Sequence, residues 1–274
     1  MKNLIMITLA LVALNVSGYA LAVAPADFDR LIQDLQKEEY QAVETYLQDH
    51  KSELEKDPDY YVILLNYVMA KGMQTINVVA QGEAQPGDLQ LSDPKTGKAV
   101  GFMGSRTEID EALIVDGFRT TQKALKHFKQ RLDIHFGIIA MSERLPRWDI
   151  TGEQCVEVLR VSREIDNQWT WGPINSMDGD PKEFMIDNIL NRTNKMFHAD
   201  HPAADAALIK VSEELIKQYP ELIYGYANLG VYYLVTQEYA LAEKYLRQAE
   251  KIDPKDEIVQ GNLLELEKRR NSKP

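Results

Sequence analysis

Apolar residues recur every three or four positions from Ala26 to Ala70, as in Phe28, Leu31, Ile32 and Leu35 and again in Val43, Tyr46 and Leu47. That is the spacing of helices with one buried face. The stretch "DPDYYVILLNYVMAKG" predicts a further helix with Asp57 as N-cap and Pro58 in its first turn, stopping near Gly72. The pattern then changes. Leu89 and Leu91 alternate, Asp93 to Gly97 carries turn residues, and Ala99 to Met103 follows, which predicts a β-hairpin inserted near residues 89–103. Helical spacing resumes at Thr107 and predicts helices over 107–131, 132–142, 151–166, 181–197, 202–219, 221–235, 238–252 and 254–270. X-Pro steps at Pro58, Pro181, Pro202, Pro220 and Pro254 stand where helices are expected to begin.

Pro220 and Pro254 are 34 residues apart, and between them "YANLGVYYLVTQEYALAEKYL" keeps Gly230 inside a helix. A mid-helix Gly is worse than Ala by ~1 kcal/mol, so packing must compensate for it. Over residues 223–256, Tyr226, Leu229, Gly230, Tyr233, Ala242, Leu246, Ala249 and Pro254 occupy all eight marker positions of a 34-residue helix–turn–helix pattern. This segment resembles the tetratricopeptide repeat. The resemblance implies that Gly230 lies where the first helix of the repeat presses on the second, with Ala242 opposite. Elsewhere it is partial. Phe136-Gly137 repeats the Leu-Gly step, whereas Met196 stands at the glycine position of the 181–220 pair.

The expected fold is therefore all-α, an α-α superhelix of tetratricopeptide-like pairs with a small β-hairpin insertion. Its segments are a signal peptide at 1–22, an N-terminal helical region at 23–74, the insertion at 75–106, degenerate pairs at 107–220, the repeat at 221–256 and a capping helix and tail at 257–274.

The N-terminus, "MKNLIMITLALVALNVSGYALAVAPADFD", has Lys2, an apolar run from Leu4 to Val16 and small residues at Gly18, Ala20 and Ala22. This is the layout of a secretory signal peptide; an uncleaved anchor is the competing reading. Export to a bacterial periplasm or exterior is expected, with no integral membrane anchor after cleavage. The formal net charge of -11 opposes nucleic acid and anionic membranes and favours neutral or basic partners. A single cysteine, Cys155, excludes an internal disulfide.

Motifs with chemistry are scarce. "HADHPAAD" offers His198, Asp200, His201 and Asp205, but in a His-x-x-His spacing across a helix boundary that fits capping better than zinc. "SMDGDPKEF" opens like a calcium loop and lacks the later oxygen ligands, so Asp180 reads as the N-cap of the helix that Pro181 begins. Around Gly97-Lys98 the earlier glycine and the Ser/Thr of a phosphate loop are both missing. Cys155 sits in the apolar-periodic "GEQCVEVLRVSREI" without a partner base in view. No cofactor and no metal are expected. Trp169 and Trp171, two apart in a non-helical loop, either form an aromatic platform for a sugar or peptide or fold back to seal a repeat junction.

Two functions follow. The first, implied by the resemblance, is a non-enzymatic exported scaffold holding a protein or peptide partner in a groove lined by Tyr224, Ala227, Asn228, Val231, Leu234 and Val235. A carboxylate clamp would need Lys beside Asn228, and no Lys or Arg occurs between Glu221 and Glu243, so an apolar contact with a basic partner is expected. The alternative is a small-ligand binder or hydrolase using the Trp169/Trp171 loop with Asp178 and Asp180.

Overall fold

The computed structural model describes residues 25–81, 83–172, 175–176 and 179–271. The predicted signal peptide lies outside them. Two compact units divide the chain, the first ending at Lys126 and the second beginning at His127.

The first unit opens with α1 (Pro25–Gln36), α2 (Tyr40–Asp49), the short α3 (Lys51–Leu54) and α4 (Pro58–Gly72). Asp57 caps α4 by accepting from the Asp59 amide at 2.9 Å, as the Asp-Pro step predicts. Helix α4 buries Tyr60, Ile63, Leu65, Tyr67 and Val68 because α1, α2 and α5 (Glu111–Ala124) all pack on it. Leu31, Val43, Ile114 and Phe118 on those helices are buried as well.

Between α4 and α5 stands a sheet larger than the expected hairpin. Three antiparallel strands, β1 (Met73–Ala80), β2 (Leu89–Ser92) and β3 (Ala99–Ile109), lie in the order β1-β3-β2. The region is more than a hairpin at 89–103, so the fold is mostly helical with a three-stranded sheet. β1 pairs with β3 from Met73↔Ile109 to Ala80↔Phe102, and Leu89 lies opposite Met103. Thr107 therefore extends a strand, and the helix expected over 107–131 is the shorter α5, capped by the Asp110 carboxylate on the Leu113 amide. Asp93 organises the β2–β3 turn by accepting from the Lys95 and Thr96 amides at 2.9 and 2.7 Å. Asp88 crosses the bare Cα of Gly104 to grip Arg106 through two bonds of 2.8 and 2.7 Å, which fixes the register.

The second unit contains α6 (Leu132–Arg144), α7 (Trp148–Glu164), the two-residue strands β4 (Thr170–Trp171) and β5 (Asn175–Ser176), α8 (Pro181–Phe197), α9 (Pro202–Gln218), α10 (Tyr224–Val235), α11 (Tyr239–Ile252) and α12 (Glu257–Asn271). Neighbouring helices pack in succession, α6 on α7, α8 on α9, α9 on α10, α10 on α11 and α11 on α12, with α7 also lying against α9. Asp180 caps α8 and His201 caps α9 through Nδ1, each followed by Pro in the first turn. The motif at 198–205 predicts that Asp200 and His201 together cap the helix that Pro202 begins; Asp200 adopts φ 46° and is not itself the cap.

Pro220 and Pro254 differ from the other X-Pro steps. They sit in turns, and α10 and α12 begin later, at Tyr224 and Glu257. Around Pro254 the Asp253 carboxylate accepts from the Lys255 amide at 3.0 Å and the Asp256 carboxylate from the Val259 amide at 2.8 Å, so the cap falls after the proline. Two apolar cores result. One joins α6, α7, α8 and α9 through Leu132, Cys155, Leu159, Ile189 and Leu208. The other joins α10, α11 and α12 through Leu234, Leu246, Val259 and Leu263.

Candidate partner-binding surface

Helix α10, "YGYANLGVYYLV", carries no charge at all. Such a helix must bury more than one face. Its first face meets α9: a Cβ at Gly225 would lie 2.6 Å from the Ser212 carbonyl oxygen and 2.8 Å from Ile216. Its second meets α11: a Cβ at Gly230 would lie 2.7 Å from both Cγ and Cδ2 of Leu246 and 3.3 Å from the Leu246 amide nitrogen. Leu246, rather than Ala242, is thus the residue that Gly230 accommodates, although Ala242 is buried in the same core. Tyr226 and Tyr233 pack against that core, Leu229, Ala249 and Leu246 are fully buried, and Pro254 is exposed in the following turn.

The third face of α10 stays partly open. Tyr224 is 38% exposed and Val235 53%, while Ala227, Asn228 and Val231 are half-buried along the line between them. Positions 224, 228, 231 and 235 follow helical spacing and form one stripe, with Ala227 at its border, where it also packs against the α10–α12 core. Leu234 does not join it. It is 3% exposed and belongs to the α10–α12 core, because one residue before Val235 the helix has turned by about 100° toward α11. Asn228 Nδ2 donates to Thr193 Oγ1 at 3.3 Å, so this amide ties the stripe to α8.

The Trp169/Trp171 loop does not build a platform. Asp166 and Asn167 turn the chain with φ 51° and 57°, the Trp169 amide donates to the Asn167 carbonyl, and the indole enters the core with 2% exposure. Its ring meets His135 edge-on at 5.7 Å. Trp171 is half-buried and completes an aromatic trio with Phe136 and Phe184, the Trp171–Phe184 centroids lying 5.4 Å apart. Asp180 is committed to capping, and Asp178 lies outside the described residues.

Three groups of acid–base or nucleophilic type, His135, Cys155 and Lys71, are held in structural roles. His135 is buried between the Lys129 carbonyl at Nε2, 3.0 Å, and the Gln154 amide at Nδ1, 2.6 Å. Gln154 Nε2 donates to Nδ1, so the imidazole Nε2 carries the proton and donates to the carbonyl. Burial holds this imidazole down at about 4. The Cys155 thiol is fully buried, and burial pushes it up to about 12, far from a thiolate nucleophile. Lys71 donates to Glu44 and to the Tyr67 hydroxyl, both at 2.7 Å, and the Glu44 bond raises its pKa, keeping it a cation. Among the described residues no three His, Cys, Asp or Glu side chains cluster as metal ligands, and no helix is long and apolar enough to cross a membrane.

Sequence reasoning missed the His135–Gln154 pair and the Phe136–Trp171–Phe184 trio, whose members come from separate elements. It also missed the stacking of Tyr233 on Tyr245 at 5.7 Å, which joins α10 to α11. No known protein family matches the chain, and no curated protein matches it.

Proposed function

We propose that this chain is an exported, non-enzymatic helical-repeat scaffold that holds a protein or peptide partner against α10. The observation that carries the proposal is the open stripe from Tyr224 to Val235 on a helix whose other faces are packed. An uncharged, partly aromatic strip of this kind is suited to an apolar anchor residue of the partner. The net charge of -11 favours an anchor flanked by basic residues. Support for the tetratricopeptide resemblance comes from Gly230 against Leu246 and from the burial of Leu229, Ala242 and Ala249, each at its marker position. Export is supported by Lys2 and the apolar run from Leu4 to Val16.

The sugar-binding or hydrolytic alternative loses support. Its two aromatic residues do not share an open face, and the accessible acid Asp180 binds the first-turn amides of α8.

Hydrogen exchange tests the proposal with basic peptides that each carry one central Leu, Phe or Trp. Added at saturation, a binding peptide should slow exchange over 224–235 more than elsewhere in the second unit. Saturable binding that leaves α10 exchange unchanged would place the surface on another element.

A further inference from the structure

The outer edge of β1 is uncovered: among the described residues β1 pairs only with β3. Natural sheets protect such an edge with Lys, Pro, a bulge or a short strand. Here "MQTINVVA" gives eight residues with no charge, no proline and no glycine, paired to β3 in unbroken register. Beside it, Val79, Met103 and Leu89 line up across the three strands at 71%, 41% and 62% exposure.

The phase of the ladder says which groups face outward. The Asp110 amide donates to the Gly72 carbonyl at 2.8 Å, so position 72 and the even positions after it point to β3. Thr75, Asn77 and Val79 therefore turn their amides and carbonyls to the free edge, whereas the Met73 amide is taken up by the Met69 carbonyl at the end of α4. Two copies of β1 related by a two-fold axis must pair antiparallel with outward positions opposite one another, which leaves two long registers, one centred on Asn77 and one on Ile76. Centring on Asn77 sets Ile76 against Val78 and Thr75 against Val79, each twice. Centring on Ile76 gives Ile76 against itself but sets Gln74 against Val78. The first register pairs β-branched residues on both sides of its axis, the combination that stabilises cross-strand contacts.

We propose that β1 is a self-association edge: two copies of this chain join β1 to β1 about Asn77, forming a continuous six-stranded sheet. No like charges meet along the strand, which lets two equally acidic chains approach there. The joined edge, residues 74–80 of each strand, is about 23 Å long and ~10 Å deep, roughly 460 Å² in total, below the ~1,200 Å² of a permanent interface. The dimer is therefore reversible and concentration-dependent. Salt should strengthen it, because salt screens the net charge while no ion pair holds the edge. This inference is independent of the α10 surface.

Sedimentation velocity of the full chain from about 5 to about 500 μM, at low and high salt, is the first test. A dimer that grows with concentration and with salt is expected, and Asn77→Lys should raise its dissociation constant at least tenfold by placing two cations on the axis. Cysteine cross-linking reads the register, since directly opposed residues in a hydrogen-bonded pair lie about 5.5 Å apart, within disulfide reach. Native Cys155 is fully buried and does not compete. Asn77→Cys should form disulfide dimers several-fold faster than Ile76→Cys, each variant first shown by circular dichroism to be folded. A wild-type chain that stays monomeric at every concentration, or cross-linking at residue 76 equal to or faster than that at 77, overturns the proposal.

Discussion

Replacing Gly230 by Ala sets two effects of opposite sign against each other on one atom. The new methyl raises helix propensity by ~1 kcal/mol. It would also lie 2.7 Å from Cγ and Cδ2 of Leu246 and 3.3 Å from its backbone nitrogen. Leu246 has no exposed surface and cannot swing aside, so α10 and α11 must separate slightly, an overpacking cost of ~1–3 kcal/mol. A net loss of about 1 kcal/mol is expected. In a Leu246→Ala background the two atoms at 2.7 Å are gone and only the 3.3 Å contact to the backbone nitrogen remains. That change alone should cost ~2–5 kcal/mol, but Gly230→Ala added to it should now stabilise by up to ~1 kcal/mol, a coupling of ~2 kcal/mol. Urea denaturation followed by tryptophan fluorescence suits the measurement, because Trp148, Trp169 and Trp171 all lie in the second unit. Gly261 on α12, where nothing stands within 4 Å of the place a methyl would take, serves as the control and should gain ~1 kcal/mol on substitution by Ala. Should Gly230→Ala stabilise the wild-type chain, or have the same sign in both backgrounds, the crossing is wrongly described.

Three further outcomes are expected. His135 binds a proton in the unfolded chain near 6.5 but in the fold only at about 4, so its contribution is complete above pH 6.5 and falls by about 3 kcal/mol as pH drops from there through 4; His135→Gln should flatten that part of the stability–pH curve measured by urea titration. Cys155 should resist thiol reagents in the native chain and react within minutes in urea, and fast native labelling would contradict its burial. Asp180→Ala should lower stability by ~1 kcal/mol through the loss of the bonds to the Lys182 and Glu183 amides, whereas Asp180→Asn should lose less; equal losses in a thermal melt would deny the cap.

The helices were legible where capping chemistry and periodicity agreed. Asp180-Pro181 and His201-Pro202 mark the starts of α8 and α9 because each side chain binds a first-turn amide next to a proline that has none to offer. β1 was not legible. In "MQTINVVA" Val78 and Val79 are adjacent and most of the strand is exposed on both faces, so no alternation of apolar and polar residues reveals it. The start of α5 is hidden for the same reason, since Thr107 to Ile109 look helical until their partner strand is known. Leu234 looks like a groove residue because spacing alone cannot say how wide a groove is. Trp169 is ambiguous in the sequence because alternation holds only in extended chain, and Asp166 and Asn167 turn it instead. The face of α10 that remains open depends on the positions of α8, α9 and α11, which are tertiary facts.

The claim that α10 presents a binding stripe stands or falls on the double variant Tyr224→Ala, Val231→Ser, with affinity for a binding peptide and melting temperature measured on the same preparation. The account predicts at least a tenfold loss of affinity, with the melting temperature within about 3 °C of wild type, because Tyr224 is exposed and Val231 half-buried. A fall of several kcal/mol in stability with affinity unchanged would contradict it, showing these residues to be core and the partner to bind elsewhere.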